Sequence, residues 1–151
     1  MKITLERIDH GDTSHLFATQ FLADLTALAR NINPDSAPVT EETMRRFLIR
    51  NGYFACCWND ENKVVGMATS ILLYKLTGYS ARIEHVSVLP KYGGQGIARK
   101  LVTLLIEECR LLKVRRIELT CEPKRVIANN LYESLGFKLR ETNSRRLTLV
   151  L

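Results

Sequence analysis

The stretch V88-L-P-K-Y-G-G-Q-G-I-A-R-K-L101 has three glycines within four residues, between an apolar segment typical of a strand and one typical of a helix. Glycine weakens regular structure, so this arrangement indicates a backbone that something approaches closely. The start of a helix carries free N–H groups and the positive end of the helix dipole, which together favour an anion. The stretch therefore predicts a strand, a phosphate-binding loop and a helix.

The residues around this loop exclude two common kinds of phosphate-binding site. Arg99 and Lys100 fall in the first helical turn, where the dipole alone would favour acidic residues, and this departure indicates function. The Walker pattern requires Ser or Thr after its lysine, and the Rossmann fingerprint requires glycine where this chain has Arg99. A dinucleotide fold also usually opens with its glycine loop. A plain flexible turn remains the alternative.

Length and composition are those of one globular domain. The chain has 151 residues, of which 46% are hydrophobic and 25% charged, so we expect a single domain over residues 1–151. No apolar run approaches the ~20 residues of a membrane span, and the first residues do not look like a secretory signal. We expect a cytoplasmic protein that does not use a membrane.

Cysteine spacing and charge narrow the partners. The four cysteines show no CxxC pair and no metal-ligand spacing, so buried reduced thiols and no bound metal are expected at Cys56, Cys57, Cys109 and Cys121. The net charge of +6 could serve nucleic acid or a polyanionic small molecule. Because the basic residues form scattered pairs, not a stripe with interleaved aromatics, we favour the small molecule.

Periodicity predicts an α/β protein with a mixed sheet in three layers and the element order β-α-α-β-β-β-α-β-α-β-β. In chain order, the predicted elements are a strand over 2–8, a helix from a cap at Asp12 or Thr13 to about Ala29, a helix over 41–50 capped by Thr40, strands over 53–58, 64–74 and 79–88, a helix over 97–113, a strand over 115–121, a helix over 126–135 closed by Gly136, and strands over 137–140 and 145–151.

Two motifs resemble the signatures of the GNAT superfamily of acyl-CoA-dependent N-acyltransferases. The first is V-x-P followed by [RQ]-x-x-G-x-[GA] at the start of a helix, and its matches are Val88, Pro90, Gly94, Gly96, Ile97 and Ala98. The second, A-x-x-L-Y-x-x-x-G-F, fits residues 128–137 throughout. The chain departs from the family at Gly93, in the [RQ] position, and at Arg125, where the family often has asparagine. The resemblance covers about residues 64–137.

The resemblance implies a GNAT-like fold with an acetyl-CoA site. In this family the strand before the loop splays from the next parallel strand, here 82–88 from 116–121, and the pantetheine arm pairs with the backbone in the gap. Main-chain groups of Val86 and Val88 would hold the arm, and loop amides would hold the pyrophosphate. The residues expected to bind the cofactor are Val86, Val88, Gly93, Gly94, Gln95, Gly96, Ile97, Ala98, Arg99, Lys100 and Asn129.

Acetyl transfer to an amine needs a base for the amine and a proton for the leaving thiolate. Tyr132 stands where many GNAT enzymes have a tyrosine near the sulfur of coenzyme A. The alternative is a structural role, in which this helix tyrosine packs against the sheet. Glu84 is the leading candidate for the base, because strand alternation puts it on the same side as Val86 and Val88. Alternation puts His85 on the opposite side. Proton loss to solvent is a further alternative.

The function expected from the resemblance is an N-acetyltransferase that moves an acetyl group from acetyl-CoA to a primary amine of a small molecule or peptide. A non-catalytic acyl-CoA-binding module is the alternative that the departures at Gly93 and Arg125 leave open. The acceptor region of this fold would contain Phe21, Arg45, Arg46, Phe47, Arg50, Tyr74 and Tyr79. The last predicted strand, at a sheet edge, favours a homodimer.

Overall fold

The computed structural model describes residues 1–6, 13–50, 52–142, 145 and 147, within two compact units, Met1–Thr120 and Cys121–Leu151. The elements of the first unit are β1 (Lys2–Glu6), α1 (Thr19–Ile32), α2 (Glu41–Ile49), β2 (Gly52–Trp58), β3 (Val64–Lys75), β4 (Gly78–Val88), α3 (Ile97–Leu111) and β5 (Arg116–Glu118), with 3₁₀ turns at Ser14–Phe17 and Pro90–Tyr92. The second unit contains α4 (Val126–Ser134).

The first unit is built on a five-stranded sheet in the order β1-β2-β3-β4-β5. Neighbours from β1 to β4 pair antiparallel, and β4 pairs parallel with β5. A parallel neighbour requires a crossover connection, and α3 provides it. The predicted α/β class with a mixed sheet is therefore confirmed, and the first nine predicted elements occur in the predicted order.

Helices cover both faces of this sheet. The larger apolar cluster joins α1 and α2 to one face, with Phe21, Leu25, Leu28, Met44 and Leu48 packed on side chains of β2 and β3. On the other face α3 packs against the sheet: Cys109 clusters with Leu72 and Ala81, and Leu101 is fully buried. The first unit thus has the predicted helix–sheet–helix layers.

Local sequence explains where α1 and α2 begin and end. Thr40 caps α2 through a capping box with Thr43, as the T-E-E-T sequence predicted. The predicted start of α1 near residue 13 is wrong, because Ala18 is extended and separates a 3₁₀ turn from a helix that begins at Thr19. The helix continues to Ile32, and Asn33 before Pro34 is extended, as residues before proline tend to be.

The strands predicted after α4 have different outcomes. Residues 137–140 lie in no strand, and Leu139 is fully exposed. Alternation alone made this segment look like a strand, but a strand also needs a paired neighbour. The prediction for 145–151 falls almost entirely outside the described residues. In the described part of the chain, no helix is both long enough and apolar enough to cross a membrane.

Candidate active site

The glycine loop adopts the backbone that its composition predicted. Gly94 and Gly96 have φ of 73° and 71°, in the left-handed region that side chains disfavour. Among the described residues, no atom lies within 4 Å of a Cβ placed on either of them. These two glycines are therefore required by the path of the backbone, and the space above them is open to a ligand.

The amides of this loop form a row of unused donors. In the described part of the chain, no hydrogen bond to a protein atom is donated by the main-chain N–H of Gly94, Gln95, Gly96, Ile97 or Ala98. The last two begin α3, where N–H groups have no partner within the helix. A row of amides at the positive end of a helix is suited to a large anion such as a diphosphate.

Gly93 differs from the residues that follow it. Its N–H donates to the carbonyl of Pro90 at 3.0 Å, and its φ of −62° is ordinary for any residue. The 3₁₀ turn thus already uses this donor, and the prediction that Gly93 binds the cofactor stays a prediction. Gly93 also lacks a side chain, so it occupies little space beside the loop.

The charge around the loop also favours an anion. The first turn of α3 contains no acidic residue, and Arg99 and Lys100 are exposed there. Two cations beside a helix N-terminus oppose the helix dipole but attract phosphate. The donors and charges fit the diphosphate of coenzyme A.

Residues outside the motif hold the loop in place, and the sequence did not identify them. The amide of Asn59 in the β2–β3 turn donates to the hydroxyl of Tyr92 at 3.1 Å. The N–H of Leu89 donates to the carbonyl of Val65 at 2.9 Å. Both contacts tie the 3₁₀ turn before the glycines to the β2–β3 hairpin.

A gap opens between β4 and β5 beside the loop. The two strands pair from Ser80 with Arg116 to Arg82 with Glu118. Beyond that point β4 continues to Val88, whereas β5 has ended, short of the predicted end at residue 121. Within the described residues, the second half of β4 thus has no strand partner on the β5 side, as the resemblance implied.

A β-bulge interrupts β4 at the start of this gap. Thr69 pairs with Glu84, but Met67 pairs with Ser87, so β4 contains one residue more than β3 between these pairs. His85 lies in the bulge with a left-handed φ of 51°. Bulges redirect side chains and leave residues out of the ladder, which suits a place where a ligand meets the backbone.

The bulge changes the side of β4 on which Val88 was predicted to lie. Directly paired residues point to the same face of a sheet, so Glu84 shares a face with Thr69 and Met67, which packs with α1 and α2. Val88 pairs with Gly66 and lies on the α3 face. The prediction that Glu84 and Val88 lie on one side is wrong, because the extra residue reverses the pattern between them. Arg82 and Glu84 do share a side and form an ion pair.

The same bulge corrects the position of His85. Its Nδ1 lies 3.2 Å from Oγ1 of Thr69, a side chain on the face of Glu84. His85 is exposed rather than part of the core. The predicted opposite orientation is therefore wrong, and His85 and Glu84 both lie at the edge of the gap.

Asn31 of α1 holds the end of β4 by hydrogen bonds on the sheet face that α1 covers. Its amide donates to Oγ of buried Ser87 at 3.1 Å and to the carbonyl of Val88 at 3.2 Å. One main-chain acceptor that the sequence assigned to the pantetheine arm is therefore already engaged. Asn31 was missed because no local pattern connects residues 56 positions apart.

In the second unit, Tyr132 lies on α4 and is 9% exposed. Burial raises its pKa to about 12, so the phenol keeps its proton at neutral pH. Its ring meets Phe137 edge to face, with centroids 6.0 Å apart, and Gly136, with φ of 91°, closes the helix as predicted.

Asn129 and Arg125 serve the start of α4. The side-chain amide of Asn129 donates to the carbonyls of Glu122 and Arg125, both at 3.0 Å. Its carbonyl oxygen is the atom left to meet a cofactor. Arg125 occupies the N-cap position, and its side chain makes no capping bond, which is the consequence of arginine replacing the asparagine of the motif.

The residues expected near the acceptor do not form one group. Phe21 is buried and stacks on Trp58 in the core. Arg45 and Arg46 form ion pairs with Glu41 and Glu42 one turn earlier, which supports a solvated helix face. Phe47 packs against Phe54, Arg50 is exposed at the end of α2, and Tyr74 and Tyr79 pair near the tip of the β3–β4 hairpin.

Comparison with known proteins agrees with this geometry. The model of the acetyltransferase (GNAT) family matches residues 20–137. A solved acetyltransferase from Trypanosoma brucei is 22% identical, with a TM-score of 0.74 over 98% of this chain and 100% of its own. An aminoglycoside acetyltransferase from an uncultured soil sample is 19% identical, with a TM-score of 0.77 over 99% and 97%. Glucosamine-6-phosphate N-acetyltransferase from Arabidopsis thaliana is 15% identical, with a TM-score of 0.69 over 97% and 99%. These structures share the fold.

Proposed function

The chain belongs to the acetyltransferase (GNAT) family, and we propose that it transfers an acetyl group from acetyl-CoA to a primary amine by direct attack in a ternary complex. The observation that carries the proposal is the row of free amides from Gly94 to Ala98. These donors would hold the diphosphate, with Arg99 and Lys100 beside it. The cofactor would supply the activated acetyl group.

The rest of the cofactor would lie along the open side of β4. That side begins where pairing with β5 stops, at Arg82. Main-chain groups of Val86 and the N–H of Val88 are the candidates to hold the pantetheine arm. Since the family match runs from residue 20 to residue 137, we also propose that the two units form one acetyltransferase domain.

The chemistry requires one group that takes a proton and one that gives it. β4 provides two candidates for the base that takes the proton of the amine, Glu84 and His85. Tyr132 is the proposed donor to the departing sulfur, because its raised pKa keeps the phenol protonated. A phenol that is protonated at the start of each turnover has a proton to give.

The acceptors named for two structural neighbours support the proposed acceptor class. One neighbour is a glucosamine-6-phosphate N-acetyltransferase and another an aminoglycoside acetyltransferase. We propose a small molecule or a peptide with a primary amine. A nucleic-acid partner is disfavoured, since Arg45 and Arg46 are paired with glutamates. A cytoplasmic homodimer remains our prediction, and light scattering that gives the mass of one chain would refute the dimer.

Calorimetry with acetyl-CoA and a thiol-release assay test the proposal together. The amines would be glucosamine 6-phosphate, an aminoglycoside and a short peptide with a free N-terminus. We expect acetyl-CoA to bind and free thiol to appear with an amine of the panel. Absence of binding would refute the acetyltransferase, whereas binding with no turnover across a widened amine panel would favour the non-catalytic module.

A further inference from the structure

Three residues meet where β4 bulges: Thr69 of β3, and Glu84 and His85 of β4. The Thr69 hydroxyl donates to the main-chain carbonyl of Glu84 at 2.9 Å. The same oxygen lies 3.2 Å from Nδ1 of His85. The hydroxyl therefore connects the backbone on one side of the bulge to the imidazole in it.

These two contacts determine which nitrogen of His85 carries its proton. A hydroxyl has one proton to donate, and that of Thr69 is used on the carbonyl of Glu84. Towards His85 the hydroxyl oxygen can only accept, so Nδ1 must be the N–H. The neutral ring then carries its lone pair on Nε2, where it can take a proton from a substrate.

The backbone of His85 is built to place the ring there. Its φ of 51° lies in the left-handed region, which is unfavourable for a residue other than glycine. Strain of this kind persists where the surrounding structure holds it, and it concentrates at functional sites. Here it turns an exposed histidine onto the face of Glu84, at the edge of the β4–β5 gap.

Glu84 is the less available of the two side chains. Its Oε1 accepts from Nε of Arg82 in an ion pair on the same strand, and its backbone carbonyl is held by Thr69. A carboxylate bound to a guanidinium has to share the lone pairs that a base would use. Among the described residues, Nε2 of His85 makes no such contact.

We propose that His85, not Glu84, is the general base of the acetyl transfer, and this rests on the proposed function. Nε2 takes one proton from the substrate ammonium. The freed nitrogen lone pair forms the C–N bond, and the C–S bond breaks with its electron pair on sulfur. The reacting nitrogen loses a second proton and the departing sulfur gains one. His85 then releases its proton to water, so the products are the amide, a free thiol and one proton.

The position of the imidazole proton can be tested without any acceptor. In long-range ¹H–¹⁵N spectra of the whole protein at mildly alkaline pH, the His85 signals are those lost in His85→Asn. We expect Nδ1 to give the signal of a protonated nitrogen and Nε2 that of a bare one. Thr69→Val should abolish this preference. A protonated Nε2 in the wild type would overturn the proposal.

Kinetics with the accepted amine provide the second test. Asparagine tolerates a left-handed φ and can still donate to Thr69, so we expect His85→Asn to lower kcat about 100-fold with unchanged acetyl-CoA affinity. Glu84→Gln, which keeps an acceptor for Arg82, should lower kcat less than about fivefold. His15→Asn is the matched control, an exposed histidine outside β4.

The outcomes separate this inference from the proposed function. A large loss in Glu84→Gln with little loss in His85→Asn would make Glu84 the base. Equal losses in both, with weakened acetyl-CoA binding, would assign the bulge a structural role and overturn the inference. Failure of the wild type to bind acetyl-CoA would refute the function itself, while the spectra would still report the proton on His85.

Discussion

Gly66 of β3 lies directly beneath Ile97, the first residue of α3. A Cβ placed on Gly66 would be 3.0 Å from Cγ2 of Ile97 and 3.3 Å from Cδ1 of Leu101. The bare backbone of β3 thus allows the beginning of α3, and with it the free amides of the loop, to approach the sheet.

Gly66→Ala should therefore weaken both the fold and the cofactor site. We expect a loss of about 1–3 kcal/mol in the free energy of unfolding from overpacking, and weaker acetyl-CoA binding because the start of α3 shifts. Denaturant melts and calorimetry measure the two effects. An unchanged affinity with lowered stability would show that the loop does not depend on this contact.

The loop glycines should differ in their response to alanine. Gly94→Ala and Gly96→Ala place a side chain at φ near 70°, in the open space above the loop, so we expect acetyl-CoA binding to weaken about tenfold, or ~1.4 kcal/mol. Gly93→Ala is the comparison for backbone strain, because its φ is ordinary, although its Cβ would lie 3.2 Å from the carbonyl oxygen of Pro90. Calorimetry decides, and equal effects at all three positions would contradict this account of the loop.

Asn31 should affect acetyl-CoA binding from α1. Asn31→Ala removes the bonds to Ser87 and Val88, and we expect a fivefold to tenfold rise in the acetyl-CoA Kd, about 1 kcal/mol. Arg30→Ala is the control, since Arg30 bonds the Ser36 carbonyl instead. A smaller effect for Asn31 than for Arg30 would remove the proposed fastening role.

Tyr132 should ionise later than an ordinary tyrosine. Its pKa of about 12 lies above the free value near 10, so the tyrosinate absorbance of the wild type minus that of Tyr132→Phe should rise between about pH 11 and pH 13. A difference that rises near pH 10 would contradict the burial effect. In turnover we expect Tyr132→Phe to lower kcat about 10- to 100-fold, with no fall in wild-type rate from Tyr132 ionisation below pH 10.

The same shift predicts a change in stability with pH. Because the folded-state pKa is the higher one, the folded protein holds this proton while the unfolded chain loses it. The contribution is complete below about pH 10 and is lost as pH rises towards 12, by ~3 kcal/mol in all. Tyr132→Phe should not show this loss, so unfolding free energies of the two proteins at pH 9 and pH 11 test it.

The sequence predicted the parts of this protein that depend on local pattern. The capping box at Thr40 and the glycine loop are determined by residues a few positions apart, and both were found in the chain. The bulge at His85 was not, because strict alternation was assumed along the whole strand. The apolar residues change from odd positions, Ala81 and Ile83, to even ones, Val86 and Val88, which is the phase change that one inserted residue produces. The role of Asn31 depends on a contact with a residue 56 positions away, which leaves no local signature in the sequence. Whether residues 137–140 form a strand depends on a neighbouring strand, which the local sequence does not show either.

Because the free amides from Gly94 to Ala98 belong to the main chain, the hydrogen bonds that they can donate to a ligand do not depend on which side chains these residues carry. Every residue contributes the same peptide N–H, so Gln95 can be exchanged for residues of other size or charge while the donors stay in place. Substitutions at this position could therefore change which phosphate ligand is preferred while the amide donors are retained, provided that Gly94 and Gly96 are kept.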